Sequence, residues 1–122
     1  MGITRGDQVP HFEVTTLDGR RFSYASIWQL KNIALLTLSE EQAERGVADL
    51  FARVVEFDAL TSICLVTRDH IAGVPTPGLL IADRWGEVVH VEKIAELPTA
   101  TELLEWLDYV ERRCPECEGE AR

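Results

Sequence analysis

At 122 residues and a formal net charge of −9, the chain can bury one hydrophobic core but not two. Apolar residues at 46% exclude global disorder, and the acidic balance excludes nucleic acid and anionic membrane surfaces, which both need a basic footprint. No apolar run approaches membrane-spanning length.

The opening Met1-Gly2-Ile3-Thr4-Arg5-Gly6 has no apolar signal region and no hydroxyl at position 6 for myristoylation, so the cytoplasm is the expected location. Phe12 and Val14 alternate with polar neighbours, and Arg21-Phe22-Ser23-Tyr24 resumes after Asp18-Gly19. A two-residue Asp-Gly between strand-like runs predicts a hairpin. Ile33-Ala34-Leu35-Leu36-Thr37-Leu38 is an almost unbroken apolar run of strand length, as in a central strand covered on both faces. Ser39 with Gln42 has capping-box spacing. Ala43, Val47, Leu50, Phe51, Val54 and Phe57 then form one helical stripe. Ser62 to Thr67 reads as a second buried strand, expected with Ile33 to Leu38 and Leu79 to Ala82 among neighbouring central strands, and Arg68 to Gly73 is a connector too short for more than about one helical turn. Leu79 to Asp83 and Glu87 to Val91 flank Arg84-Trp85-Gly86, a second hairpin. Thr99 with Glu102 is another capping box. Leu103, Leu107 and Val110 line the last helix, which Pro115 should end near Arg113. Residues 1–113 are expected to form one domain and 114–122 an acidic tail holding Cys-Pro-Glu-Cys.

Gly6-Asp7-Gln8-Val9-Pro10-His11-Phe12 with Leu17-Asp18-Gly19-Arg20, Val66-Thr67-Arg68-Asp69, and Val74-Pro75-Thr76 before Leu79 to Val88 follow one another in a telling order. Together they resemble the alkyl hydroperoxide reductase / thiol-specific antioxidant (peroxiredoxin) family over roughly residues 6 to 91. The resemblance implies a thioredoxin-like α/β fold, with a central mixed sheet, an N-terminal β-hairpin and flanking helices. It also implies a cis Val74-Pro75 bond in a loop, Val74 to Thr76, beside which an extended partner pairs. The active-site pattern departs from that family. A peroxiredoxin needs Thr-x-x-Cys, because a thiolate must attack the peroxide. Here Thr37 is followed by Leu38, Ser39 and Glu40. Thioredoxin's Cys-x-x-Cys would fall near Glu41 and Glu44, and the peroxiredoxin arginine before the last hairpin is replaced by Thr76-Pro77-Gly78.

Glu40, Glu41 and Glu44 complement a helix dipole, ~0.3–1 kcal/mol each, and no histidine or aspartate stands near them in sequence to complete an acid–base site. Cys64, amid Ile63, Leu65 and Val66, reads as core filler. His11, His70 and His90 have no metal-ligand spacing. Cys114 and Cys117 carry three readings: a redox dithiol exchanging with a protein thiol or disulfide partner; half of a zinc site completed by a second chain, as four thiolates in a homodimer, or by an approaching histidine; or an inert pair. The leading expectation is therefore a degenerate redoxin without a peroxidatic centre and without a resident cofactor. The alternative is a non-enzymatic binding or scaffold module using the Pro75 loop or an exposed sheet edge.

Overall fold

The computed structural model describes residues 2–45, 50 and 52–112. In chain order these form β1 (Glu13–Thr15), β2 (Arg21–Ser23), a 3-10 turn (Tyr24–Ser26), β3 (Asn32–Thr37), α1 (Glu40–Arg45), α2 (Val54–Ala59), β4 (Ser62–Thr67), β5 (Gly78–Ala82), β6 (Val88–Lys93) and α3 (Ala100–Arg112). β1 and β2 pair as an antiparallel hairpin, and the other strands make a mixed sheet in the order β4-β3-β5-β6. β3 runs parallel to β4 and antiparallel to β5.

The apolar run that begins at Ile33 becomes β3 because it has something to bury on both faces. Ala34, Leu36 and Leu38 point into a layer with Leu50, Phe57, Leu103, Leu107 and Val110. Ile33 and Leu35 point the other way, against Phe12, Val14, Tyr24 and Ile27. This period-two division follows from the pleat. Leu103, Leu107 and Val110 are all buried, as their spacing requires.

Four expectations change in detail. β4 is not central: it is the sheet's edge, because the short connector after it leads directly to β5 on the far side of β3. The expected single helical stripe breaks at Arg53, whose φ of −111° and ψ of 24° leave the helix. The break rotates the following turn, so that Val54 is exposed while Phe57 stays buried; Val47 and Phe51 lie outside the described residues. Asp18-Gly19 is not a two-residue turn. The Gly19 N–H bonds Thr16 O at 2.9 Å and the Thr16 N–H bonds Arg20 O at 2.8 Å, so Leu17, Asp18 and Gly19 form the loop, with Gly19 at φ +85°. Finally, the cis bond is Thr76-Pro77, not Val74-Pro75. The Pro75 carbonyl turns inward instead, to accept the Thr37 hydroxyl at 2.6 Å.

Tyr24 is 3% exposed and stacks on Phe12 with ring centroids 5.2 Å apart. Its hydroxyl has no hydrogen-bond partner among the described residues and faces the bare Cα of Gly86. An unpaired buried hydroxyl costs about 1–3 kcal/mol. Tyr24→Phe is therefore expected to leave the urea midpoint unchanged or raised, whereas a clear loss would show that the hydroxyl is bonded in solution.

Candidate functional site

The first candidate lies where β3 ends and α1 begins. Ser39 and Gln42 close the capping box in both directions: the Ser39 N–H donates to Gln42 Oε1 at 3.1 Å and the Gln42 N–H to Ser39 Oγ at 3.2 Å. Gln42 is buried, and its Nε2 reaches Ala95 O at 3.5 Å, tying α1 to the segment before α3. Glu40 and Glu41 occupy the first turn and are exposed. The side chains at this helix start are hydroxyl, amide and carboxylate, none of which can form a sulfenic acid.

The loop Val74, Pro75 and Thr76 stands beside this end of β3. Thr37 tethers it through Pro75 O, and His70 Nδ1 lies 3.3 Å from Thr76 Oγ1. The threonine to which the family resemblance gives a reactive setting is thus committed to holding the loop. Gly78, the first residue of β5, packs directly beneath Pro75.

Cys64 packs against the helix-side core, and burial pushes its thiol up to about 12. Thiolate is the reactive form, so the raised pKa disfavours exchange at neutral pH even though the side chain is only partly buried. Burial, followed by the charge of Asp83, likewise pushes Tyr24 up to about 12. Both groups keep their protons in the folded chain after the unfolded chain has lost them, from about pH 9 for a thiol and pH 10 for a phenol. The unfolded state then binds fewer protons, so stability falls as pH rises. Urea midpoints are expected to decline from about pH 9 to 12, and Cys64→Ala should flatten the lower part of that decline. Equal slopes in variant and parent would contradict the assignment.

Sequence reasoning missed a second polar cluster at the opposite pole. Asn32 opens β3, five residues and therefore about 17 Å from Thr37. Its Nδ2 donates to Glu111 Oε1 at 3.1 Å and Leu60 O at 3.3 Å, and its Oδ1 accepts the Arg84 N–H at 2.9 Å. The Arg84 guanidinium pairs with Glu111. Burial by itself would raise the Glu111 pKa, but hydrogen bonds from Arg84, Asn32 and Thr61, with the Arg84 charge, outweigh it and hold the carboxyl below its usual value. No local pattern announces this cluster, since its members come from three distant segments. It clamps the last turn of α3 to the start of the sheet.

Beside the clamp, Trp28 and Trp85 are 43% and 51% exposed. The Trp28 Nε1–H donates to Trp85 O at 3.1 Å, and Arg84 lies over the Trp85 ring at 5.5 Å. Cys114, Cys117 and the tail 114–122 lie outside the described residues, but α3, which leads to them, ends at this pole. The structure therefore separates the Pro75 loop from the end of the helix preceding the cysteine pair. His90 is in β6, within the strand read from Glu87 to Val91, and stacks on Trp106 at 4.4 Å.

No protein-family profile matches the chain, and no curated protein is similar to it in sequence. Solved structures share its fold. The 2-Cys peroxiredoxin of Plasmodium vivax aligns with a TM-score of 0.67 at 12% identity, covering 90% of this chain and 98% of that one. AhpC of Mycobacterium tuberculosis aligns with a TM-score of 0.64 at 14% identity, covering 96% and 99%. A thioredoxin-family thiol:disulfide interchange protein of Chlorobium tepidum gives 0.57 at 15%, covering 90% and 99%. The fold is thioredoxin-like, with neighbours among peroxiredoxins and thioredoxin-family proteins.

Proposed function

We propose, from a thioredoxin-like fold whose helix start carries no thiol, that this chain is a redoxin-type protein without a peroxidatic centre. Its thiol–disulfide exchange rests on Cys114 and Cys117. The observation that carries the reading is the filled helix start: Glu40 occupies the place of an attacking cysteine in the first turn of α1, beside the reciprocal Ser39–Gln42 cap. Cys64, partly buried with its thiol pushed up to about 12, is a poor nucleophile at neutral pH, which leaves the Cys-x-x-Cys pair as the better candidates among the thiols of the sequence. The partner is a protein disulfide or dithiol.

The test is a thiol count, with and without reductant, alongside metal content. Cys117→Ser is expected to abolish reversible two-electron oxidation without unfolding the domain. Bound zinc, lost in the same variant together with dimer formation, would replace the redox reading by the shared four-thiolate site. Rapid peroxide consumption persisting after Cys64, Cys114 and Cys117 are all replaced by Ser would overturn the absence of a peroxidatic centre.

A second reading is favoured by the loop itself. Thr37 holds the Val74 to Thr76 segment in place with no thiol at the helix start for it to serve, as suits a docking edge in a non-enzymatic binding module. A chain truncated after Arg113 that keeps all measurable behaviour would put this reading first.

A further inference from the structure

We infer that the tip of the β5–β6 hairpin is a docking site for an extended protein segment, whose lysine ammonium passes between Gln8 and Trp28 to bond the Tyr24 hydroxyl. Neither the thiol chemistry proposed above nor the Val74 to Thr76 loop takes part, the loop lying toward the other end of β3.

The Tyr24 hydroxyl itself points to a ligand. It is buried without a hydrogen-bond partner among the described residues, on a ring held in place by stacking on Phe12. Such a group lowers stability, and where only packing is needed phenylalanine serves better. A partner that arrives from outside the chain accounts for it. The hydroxyl is directed at the surface of the hairpin tip. A β-carbon added at Gly86 would lie 3.1 Å from Tyr24 Oη, 3.0 Å from Gln8 Oε1 and 3.3 Å from Trp28 Nε1, so three polar atoms gather around one bare glycine. Gln8 is exposed, and a surface side chain changes rotamer within nanoseconds; that motion opens the hydroxyl to an incoming group. Trp28 is fixed to the tip by its bond to Trp85 O, and both indoles stand half in solvent, as large aromatics do at binding hot spots.

The occupant's chemistry follows from what surrounds the hydroxyl. Gln8 Oε1 is an acceptor, and the Trp28 N–H is already engaged. Asp83, 6% exposed, is held beneath the turn by the N–H groups of Trp85 and Glu87 at 3.0 and 2.9 Å, and its negative charge acts on Tyr24. Arg84 directs its own charge to Glu111. Acceptors, a negative charge and aromatic faces together fit a cation that donates hydrogen bonds. An ammonium is compact, with three donors on a flexible apolar stem, which suits the confined approach beside Gly86 better than a planar guanidinium. The stem lies along the indoles. A free amine would leave most of both rings bare, whereas the apolar neighbours of a lysine in an extended chain cover them.

The test selects random dodecapeptides displayed on phage against the full-length chain and measures the enriched sequences as synthetic peptides by fluorescence polarisation. Enriched peptides are expected to carry a lysine beside apolar residues. Norleucine in place of that lysine, Tyr24→Phe and Trp28→Ser should each weaken binding about tenfold, the loss of one charge-assisted hydrogen bond or its aromatic cover. Val55→Ser, at another exposed apolar position, should leave binding unchanged. Circular dichroism melts confirm folding, and Tyr24→Phe carries the test alone should Trp28→Ser unfold. No enrichment over a Tyr24→Phe bait, or equal affinity of that variant for the selected peptides, overturns the assignment. Cadaverine, the free diamine of lysine's stem, should compete at least tenfold more weakly than the peptide, and equal competition overturns docking of a protein segment.

Discussion

Replacing Gly78 with alanine is expected to destabilise the fold by about 3 kcal/mol, the top of the range for overpacking, or roughly a 10–15 °C loss in melting temperature for a domain of this size. A β-carbon at Gly78 would collide with the Pro75 carbonyl oxygen. It would also lie 2.8 Å from Pro75 Cγ and 2.9 Å from the Pro75 carbonyl carbon. Backbone cannot step aside as a flexible side chain can, and this backbone is pinned by the Thr37 hydroxyl. The contrast that isolates the cause is Gly19→Ala. Gly19 has φ +85° with nothing within 4 Å of an added methyl, so it meets conformational strain alone, about 1 kcal/mol. Thermal melts of the two variants decide the matter: equal losses would mean that the space beneath Pro75 is not constrained as described.

Asn32→Ala is expected to destabilise the protein by a similar amount, about 3 kcal/mol, because it removes the hydrogen bonds of a buried amide and strands the Arg84 N–H, an unpaired buried donor alone costing about 1–3 kcal/mol. The Arg84 N–H loses its acceptor, while Leu60 O and Glu111 Oε1 lose a donor. Arg84→Ala should cost less. Its pair with Glu111 has side chains 29% and 28% exposed, and ion pairs open to solvent contribute about 1 kcal/mol or less. The order of the two effects is the measurable outcome, by urea denaturation at pH 7. A larger loss for Arg84→Ala would assign the clamp to charge rather than to the buried amide. The Glu111 carboxyl, held below its usual pKa, adds stability that is present above the unfolded value and lost as pH falls through the folded one. Acid should therefore loosen the end of α3 first.

What the sequence determined by itself was local. The apolar run of β3, the helix cap at Ser39 and Gln42 and the inward face of α3 were readable because each depends on residues a few positions apart. The same holds for the missing thiol at the helix start, which is a matter of which side chain occupies one place in a strand-to-helix junction. The tertiary structure alone decided the rest. β4 falls at the edge because strand order depends on where a connector lands, not on the strand's own hydrophobicity. Which proline bond is cis, and that Pro75 O faces Thr37, was set by contact between segments 38 residues apart. The clamp of Asn32, Arg84 and Glu111 and the Trp28–Trp85 surface join residues 27 to 79 positions apart. A single polar or aromatic side chain carries no period, so no pattern in the chain reveals its partner; only closure of the sheet and docking of α3 bring these groups together.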